Sequence, residues 1–97
     1  MSKIVDITEK LSFDENPFIA IRDKRYEVNA DAKTVLEIMG TFQNKKQDEA
    51  MLFAYEKMFS EKDREAIESL KLPWKDFEVV IQTAVNLATG NEETEGE

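Results

Sequence analysis

The sequence contains no cysteine and no histidine, and only three of its 97 residues are glycine. Without cysteine, the chain can form neither a disulfide framework nor a thiolate metal site. Without histidine, it lacks the commonest general base and the commonest metal ligand. Three isolated glycines are also too few to build a phosphate-binding or dinucleotide-binding loop. We therefore expect a protein that is not an enzyme, with no catalytic residues, no cofactor and no metal.

Long apolar runs are missing as well. No segment approaches the ~18 consecutive apolar residues that mark a membrane-spanning helix, and the N-terminus has no signal-peptide core. The sequence therefore predicts a soluble, cytoplasmic protein that has no membrane partner.

Basic charge is scarce, since 13 Lys and Arg stand against 21 Asp and Glu, for a net charge of −8. An acidic surface repels nucleic-acid phosphates, so we expect no nucleic-acid binding. An alternative function stays open: a small acidic regulatory protein that mimics a nucleic acid and inhibits a host enzyme. Against it, the acids of residues 61–71 alternate with Lys and Arg, which is typical of a solvated helix face.

The residues that are present suit one small helical domain. Apolar residues make up 41% of the chain and charged residues 35%, enough for a modest core. We predict a mainly α fold with a small N-terminal β-hairpin, an α+β class with about four short helices packed in one domain over residues 1–90. The last seven residues, 91–97, contain no apolar side chain and are predicted to be a disordered acidic tail.

The first third of the chain has extended character. Two short apolar runs, residues 18–21 and 26–28, flank the polar sequence "RDKR" and predict a hairpin with Asp23 and Lys24 in its turn. Ile19 and Ile21 then lie on one face of the hairpin. Before it, the β-branched run Ile4, Val5 and Ile7 predicts an extended arm or an edge strand. Such a segment pairs either within its own hairpin sheet or with a neighbouring copy.

Helix boundaries are marked by capping residues. Asp31 is placed to start a first helix that ends near residue 43 or 44, and a second helix covers roughly residues 48–59. Ser60, with Asp63 three residues later, opens a third helix. Pro73 suits the first position of a fourth helix, which Gly90 ends. The apolar residues of these helices recur at helical spacing and form the predicted core.

Two helices carry an apolar residue away from their main stripe. On a helical wheel Met51, Leu52, Tyr55, Met58 and Phe59 share one face of the second helix, and Phe53 lies opposite them. Val79 lies apart from the stripe of the fourth helix, which begins at Trp74 and is assigned to the core. We predict that Phe53 and Val79 contribute to a protein-binding surface together with Ile4, Val5 and Ile7 of the arm. The alternative for Phe53 is that other elements of the chain, such as the hairpin or the arm, cover it.

Two stretches carry a resemblance to a known family. The closing sequence "LKLPWKDFEVVIQTAVNLATGNEE" and the opening "DENPFIAIRDKRYEVNADAKTVLEIM" resemble small tail assembly chaperones of long-tailed phages and prophages of Gram-positive bacteria. The likeness covers most of the chain. It lies in the order of elements and in composition, because the family has no invariant catalytic signature.

The resemblance implies a specific set of partners. Such chaperones bind the tape measure protein, a very long and largely helical polypeptide, before tail tube subunits polymerise around it. They self-associate, so the resemblance implies a homo-oligomer, and they are absent from the finished virion. A C-terminal extension made by ribosomal frameshifting is thought to engage the tail tube protein. The acidic end of this chain is a physically easy place for such an extension.

Overall fold

A computed structural model describes residues 2–90. Within them, an extended N-terminal arm precedes a β-hairpin and four helices, which confirms the predicted fold class. In chain order the elements are a 3-10 turn at Thr8–Lys10, β1 at Phe18–Ile21, β2 at Lys24–Glu27, α1 at Ala32–Asn44, α2 at Gln47–Met58, α3 at Glu61–Ser69 and α4 at Trp74–Thr89. The predicted acidic tail, residues 91–97, lies outside the described residues.

The hairpin has its turn one residue earlier than predicted. Strands β1 and β2 are antiparallel, and Ile21 pairs with Lys24 across a two-residue loop of Arg22 and Asp23. The loop closes without glycine because Arg22 adopts a positive φ of 59°. Ile19 and Ile21 are partly buried and pack against the helical core, as the alternation predicted.

Polar caps start α1 and α3 where the sequence predicted them. The Asp31 carboxylate accepts hydrogen bonds from the hydroxyl of Thr34 at 2.8 Å and from its backbone N–H at 3.3 Å. The hydroxyl bond and then the backbone bond hold the pKa of Asp31 below its ordinary value. Ser60 Oγ accepts the backbone N–H of Asp63 at 3.1 Å. Each cap satisfies a helix N–H that has no partner within its own helix.

The fourth helix differs from its predicted start by one residue. Pro73 is the N-cap of α4 rather than its first helical residue, since its ψ of 164° is extended and the helix begins at Trp74. Gly90 ends the helix in a left-handed conformation with a φ of 78°, as predicted.

Helix α2 lies at the centre and packs against α1, α3 and α4. One cluster of buried side chains draws on the hairpin and on all four helices: Tyr26, Val28, Ile38, Met51, Ala54, Tyr55, Met58, Phe59, Ile67, Val80, Ile81 and Ala84. A backbone hydrogen bond of 2.8 Å from Asn29 N–H to the Met58 carbonyl joins the end of the hairpin to the end of α2. The hairpin is thereby fixed to the helices of its own chain.

The buried face of α2 is rotated from the predicted one. Ala50 and Ala54 are fully buried, while Leu52, which was assigned to the core face, is exposed. Alanine lets neighbouring backbones approach closely, so the helix turns its small residues toward its neighbours. The same rotation carries Phe53 from the far side of the helix to the margin of the core, where it is half-buried.

The arm does not pair with its own hairpin. In residues 2–90 the sheet consists of β1 and β2 alone, so the predicted alternative of pairing within the sheet is wrong. The 3-10 turn at Thr8–Lys10 interrupts the extended run, and the Asp6 carboxylate accepts the backbone N–H and the hydroxyl of Thr8 at the start of this turn. Every residue from 2 to 15 is exposed. The radius of gyration, 15.8 Å, accordingly exceeds the roughly 12 Å of a compact domain of this length.

Candidate interaction surface

A groove of about 700 Å³ lies between α1 and α4, above the central helix α2. Its floor is made of buried core residues, Ile38, Met51 and Ile81. Its walls carry Met39 and Phe42 from α1 and Val85 from α4. The groove exists because α1 and α4 both pack on α2 and leave an apolar gap between them.

The rim of the groove is polar but carries little charge. Three amides, Gln43, Gln47 and Gln82, line it together with one cation, Lys45, and one anion, Glu78. Amide groups both donate and accept hydrogen bonds, so they can pair with either kind of polar group on a partner. An apolar floor with a polar, weakly charged rim is the usual composition of a protein-binding surface.

The groove continues into a depression beside Trp74. Gln47, Met51 and Glu78 line both, and the indole of Trp74 forms the far wall of the depression. The assignment of Trp74 to the core is wrong, because 58% of its surface is exposed. Trp74 is exposed because it is the first residue of α4, and the buried residues of this helix begin only at Val80.

Helix α1 exposes most of its apolar stripe. Of the residues predicted to pack in the core, only Ile38 is buried, while Leu36 and Met39 have 67% and 47% of their surface exposed. Phe42 is also on the exposed side. This helix therefore presents apolar side chains for which residues 2–90 provide little cover.

The arm is the second apolar surface. Ile4, Val5 and Ile7, predicted from the sequence, are all exposed, and Ile4 keeps 88% of its surface in contact with solvent. Two further large side chains, Leu11 and Phe13, are exposed on the same segment. Five such side chains lie exposed within ten residues, and exposed apolar surface concentrated in this way is typical of interaction sites.

The structure separates the two helical residues that the wheel selected. Phe53 borders a shallow depression with Leu36 and Gly40 of α1, and the ammonium of Lys57 lies 5.5 Å from the centre of its ring. It packs partly against the core, so the alternative of cover is partly realised, with α1 supplying the cover. Val79 is 62% exposed on α4 and does not line the groove.

The groove residues escaped the sequence reasoning. Met39, Phe42 and Val85 recur at helical spacing, and that spacing alone assigned them to the core. A signal was present in α1, where Ala32, Val35, Leu36, Ile38, Met39 and Phe42 form a stripe wider than a helix on the margin of a small core can bury. The excess apolar surface of α1 predicts an exposed face, although not its position beside α4.

A polar network lies on the opposite side of α2 and joins it to α3. The hydroxyl of Tyr55 donates to the Glu68 carboxylate at 2.8 Å and lies 3.0 Å from the Arg64 carbonyl. The Arg64 guanidinium donates to the carbonyls of Glu56 at 2.9 Å and Phe59 at 2.8 Å, at the end of α2. Burial, followed by the Glu68 hydrogen bond, raises the pKa of Tyr55, so its phenol stays protonated. The network has a structural role, since each group bonds within it.

The described part of the chain has neither a cluster of metal ligands nor a membrane-spanning helix. Residues 2–90 contain no group of three or more Asp, Glu, His or Cys side chains that could hold a metal ion. None of the helices between residues 2 and 90 is both long and apolar enough to cross a membrane.

Comparison with known proteins adds no family to these observations. No protein-family model, no curated protein and no solved structure matches this chain.

Proposed function

We propose that this chain is a non-enzymatic tail assembly chaperone, which self-associates and binds the tape measure protein during assembly of a phage tail. The observation that carries the proposal is the apolar groove between α1 and α4, with its floor of Ile38, Met51 and Ile81. The resemblance of residues 14–39 and 70–93 to such chaperones supplies the partner.

The groove suits one class of ligand, an amphipathic helix. A partner helix of this kind places apolar side chains from positions i, i+3 or i+4, and i+7 into a groove. Met39, Phe42 and Val85 would receive them, and the amides of the rim would bond the polar flanks of the partner. A long helical polypeptide offers many such segments, so several copies of the chaperone bind along it.

The biological setting follows from this proposal. The chaperone acts in the cytoplasm of the bacterial host, holds apolar segments of the tape measure protein apart, and leaves before the virion is complete. In the chaperones that this chain resembles, binding to the tail tube protein belongs to a C-terminal extension. The chaperone itself performs no chemistry, since holding a partner needs only reversible apolar contacts.

Co-expression with the tape measure protein of the same gene cluster tests the proposal. The tagged full chain is expected to retain the tape measure protein on an affinity column. Met39→Glu places a charge in the groove and is expected to reduce the retained amount at least tenfold. Leu52→Glu is the matched control, because Leu52 is exposed and lines neither the groove nor the depression beside Phe53.

Circular dichroism of both variants establishes that they fold. Equal retention by Met39→Glu and the unmodified chain would overturn the assignment of the groove. Failure of the unmodified chain to retain the tape measure protein would overturn the function itself.

A further inference from the structure

We infer that the N-terminal arm of one copy occupies the α1–α4 groove of a second copy, and that two copies exchange arms reciprocally. The arms keep the grooves of the free protein filled until a partner helix displaces them. The inference rests on the proposed function in one respect, since both occupants use the same groove.

The arm has the chemistry of a groove ligand. It carries Ile4, Val5, Ile7, Leu11 and Phe13 within ten residues. None of these side chains belongs to the core cluster of its own chain or packs against that cluster. Phe13 keeps 74% of its surface exposed. Covering these apolar side chains with a second apolar surface removes them from water, which is favourable for association.

The base of the arm is fixed, so the arm leaves the fold from a defined point. The Asn16 side chain donates to the Glu27 carboxylate at 3.0 Å and accepts the Ala30 N–H at 3.2 Å. Residues 2–15 extend beyond this anchor and reach at most about 45 Å. The shorter dimensions of the molecule are 33 and 27 Å, so the arm is long enough to cross a neighbouring copy. The arm does not line the groove of its own copy.

The area of contact favours a reciprocal pair over a single contact. Five large aliphatic or aromatic side chains offer roughly 300–600 Å² of apolar surface. One arm in one groove therefore falls short of the ~800 Å² that each partner contributes to a standard interface. Two exchanged arms double the buried area and bring it to that size. Closed two-fold pairs are also the commonest arrangement of identical subunits.

Charge does not oppose the contact. Over residues 3–13, which hold all the large apolar side chains of the arm, Lys3 and Lys10 balance Asp6 and Glu9, and the acids Asp14 and Glu15 follow at the base of the arm. On the rim of the groove Lys45 balances Glu78. Neither surface has a net charge, so association through them depends on apolar burial. Raising the salt concentration from 50 to 500 mM should therefore leave the dimer intact, whereas a dimer held by ion pairs would weaken.

Sedimentation velocity on full-length variants tests the exchange. The unmodified chain and the control Ser12→Glu, which adds a charge to a polar position of the arm, are expected to form dimers. The arm variant Ile4→Glu/Phe13→Glu and the groove variant Met39→Glu are each expected to sediment as monomers. A dimer of the arm variant at the concentrations that give a dimer of the unmodified chain would overturn the inference.

Mixing the two monomeric variants distinguishes exchange from any other contact. The groove variant retains an intact arm, and the arm variant retains an intact groove, so one productive contact forms between them. With a fluorophore on one variant, a mixed dimer is expected at concentrations at least tenfold above those of the unmodified dimer. Absence of any mixed species at a hundredfold excess would overturn the inference.

Binding of the tape measure protein then separates this inference from the proposed function. The arm variant is expected to bind at least tenfold more tightly than the unmodified chain, because no arm competes for the groove. If a monomeric arm variant binds the tape measure protein with the same affinity as the unmodified chain, the arm does not compete for the groove, and this part of the inference is wrong. If no variant binds the tape measure protein, the proposed function fails, while sedimentation still decides whether arms are exchanged.

Discussion

Removing the hydroxyl of Tyr55 tests how α2 and α3 are held together. Tyr55 is buried, and its hydroxyl donates a 2.8 Å hydrogen bond to the Glu68 carboxylate. Its ring packs edge-on against Phe77, with ring centres 5.0 Å apart, and lies 5.9 Å from the ring of Phe59. Tyr55→Phe retains these ring contacts and removes only the hydroxyl, which bonds the Glu68 carboxylate and lies 3.0 Å from the Arg64 carbonyl, both in α3.

The expected loss follows from the surroundings of Glu68. Hydrogen bonds to charged groups contribute about 1.5–3 kcal/mol. Glu68 is exposed, so water replaces the phenol once it is gone, and the loss should fall at the lower end of that range. We expect Tyr55→Phe to reduce the free energy of unfolding by about 1.5 kcal/mol. Truncation to alanine removes the ring as well and should cost about 3–5 kcal/mol.

Urea denaturation followed by circular dichroism measures both losses. A double-mutant cycle with Glu68→Ala isolates the bond, because Tyr55→Phe should cost much less when the carboxylate is already absent. An equal cost of Tyr55→Phe in both backgrounds would refute the direct bond. A loss above about 3 kcal/mol would instead indicate that the hydroxyl supports more of the core than this one contact.

Three further predictions concern pH, a helix cap and the hairpin turn. Because the pKa of Tyr55 is raised in the folded protein, stability should fall as the pH rises above about 10. Tyr55→Phe should flatten that fall in urea denaturation at pH 9–11. Ser60→Ala should cost about 1 kcal/mol through loss of the α3 cap, while Ser60→Gly should cost less. Arg22→Gly should stabilise the hairpin by about 0.5–1 kcal/mol by relieving the positive φ of Arg22, and an unchanged melting temperature would contradict this.

Much of the fold was predictable because local chemistry specifies it. Asp31 and Ser60 cap their helices by side-chain hydrogen bonds, and Gly90 ends α4 with a left-handed φ. These signals depend on neighbours in the sequence. The hairpin turn was misplaced because its positive φ falls on Arg22, a residue type that gives no turn signal.

The orientation of the helices was less predictable, because it depends on packing between distant residues. Helical spacing shows that α2 has an apolar face but cannot fix the centre of that face. The close packing of Ala50 and Ala54 rotates the helix, which exposes Leu52 and half-buries Phe53. In the same way, the exposure of Trp74 depends on where α4 meets α2.

The interaction surface was predicted in part. The sequence left two alternatives open for the arm: pairing within its own hairpin is wrong, and Ile4, Val5 and Ile7 are exposed. The groove was not predicted, because its floor belongs to the core and its walls look like core in the sequence. The role of these surfaces in binding stays a prediction, as does that of Phe53 and Val79.

The central claim is that the groove binds a helix of the tape measure protein, and the single tryptophan of the chain can report it. Trp74 is largely exposed in a depression continuous with the groove. The measurement is a titration of the full chain with an amphipathic, tryptophan-free segment of the tape measure protein, followed by Trp74 emission. We predict a saturable shift of the emission to shorter wavelength for the unmodified chain and for Leu52→Glu, and no shift for Met39→Glu. The same saturable shift in Met39→Glu, or no binding by the unmodified chain, would contradict the claim.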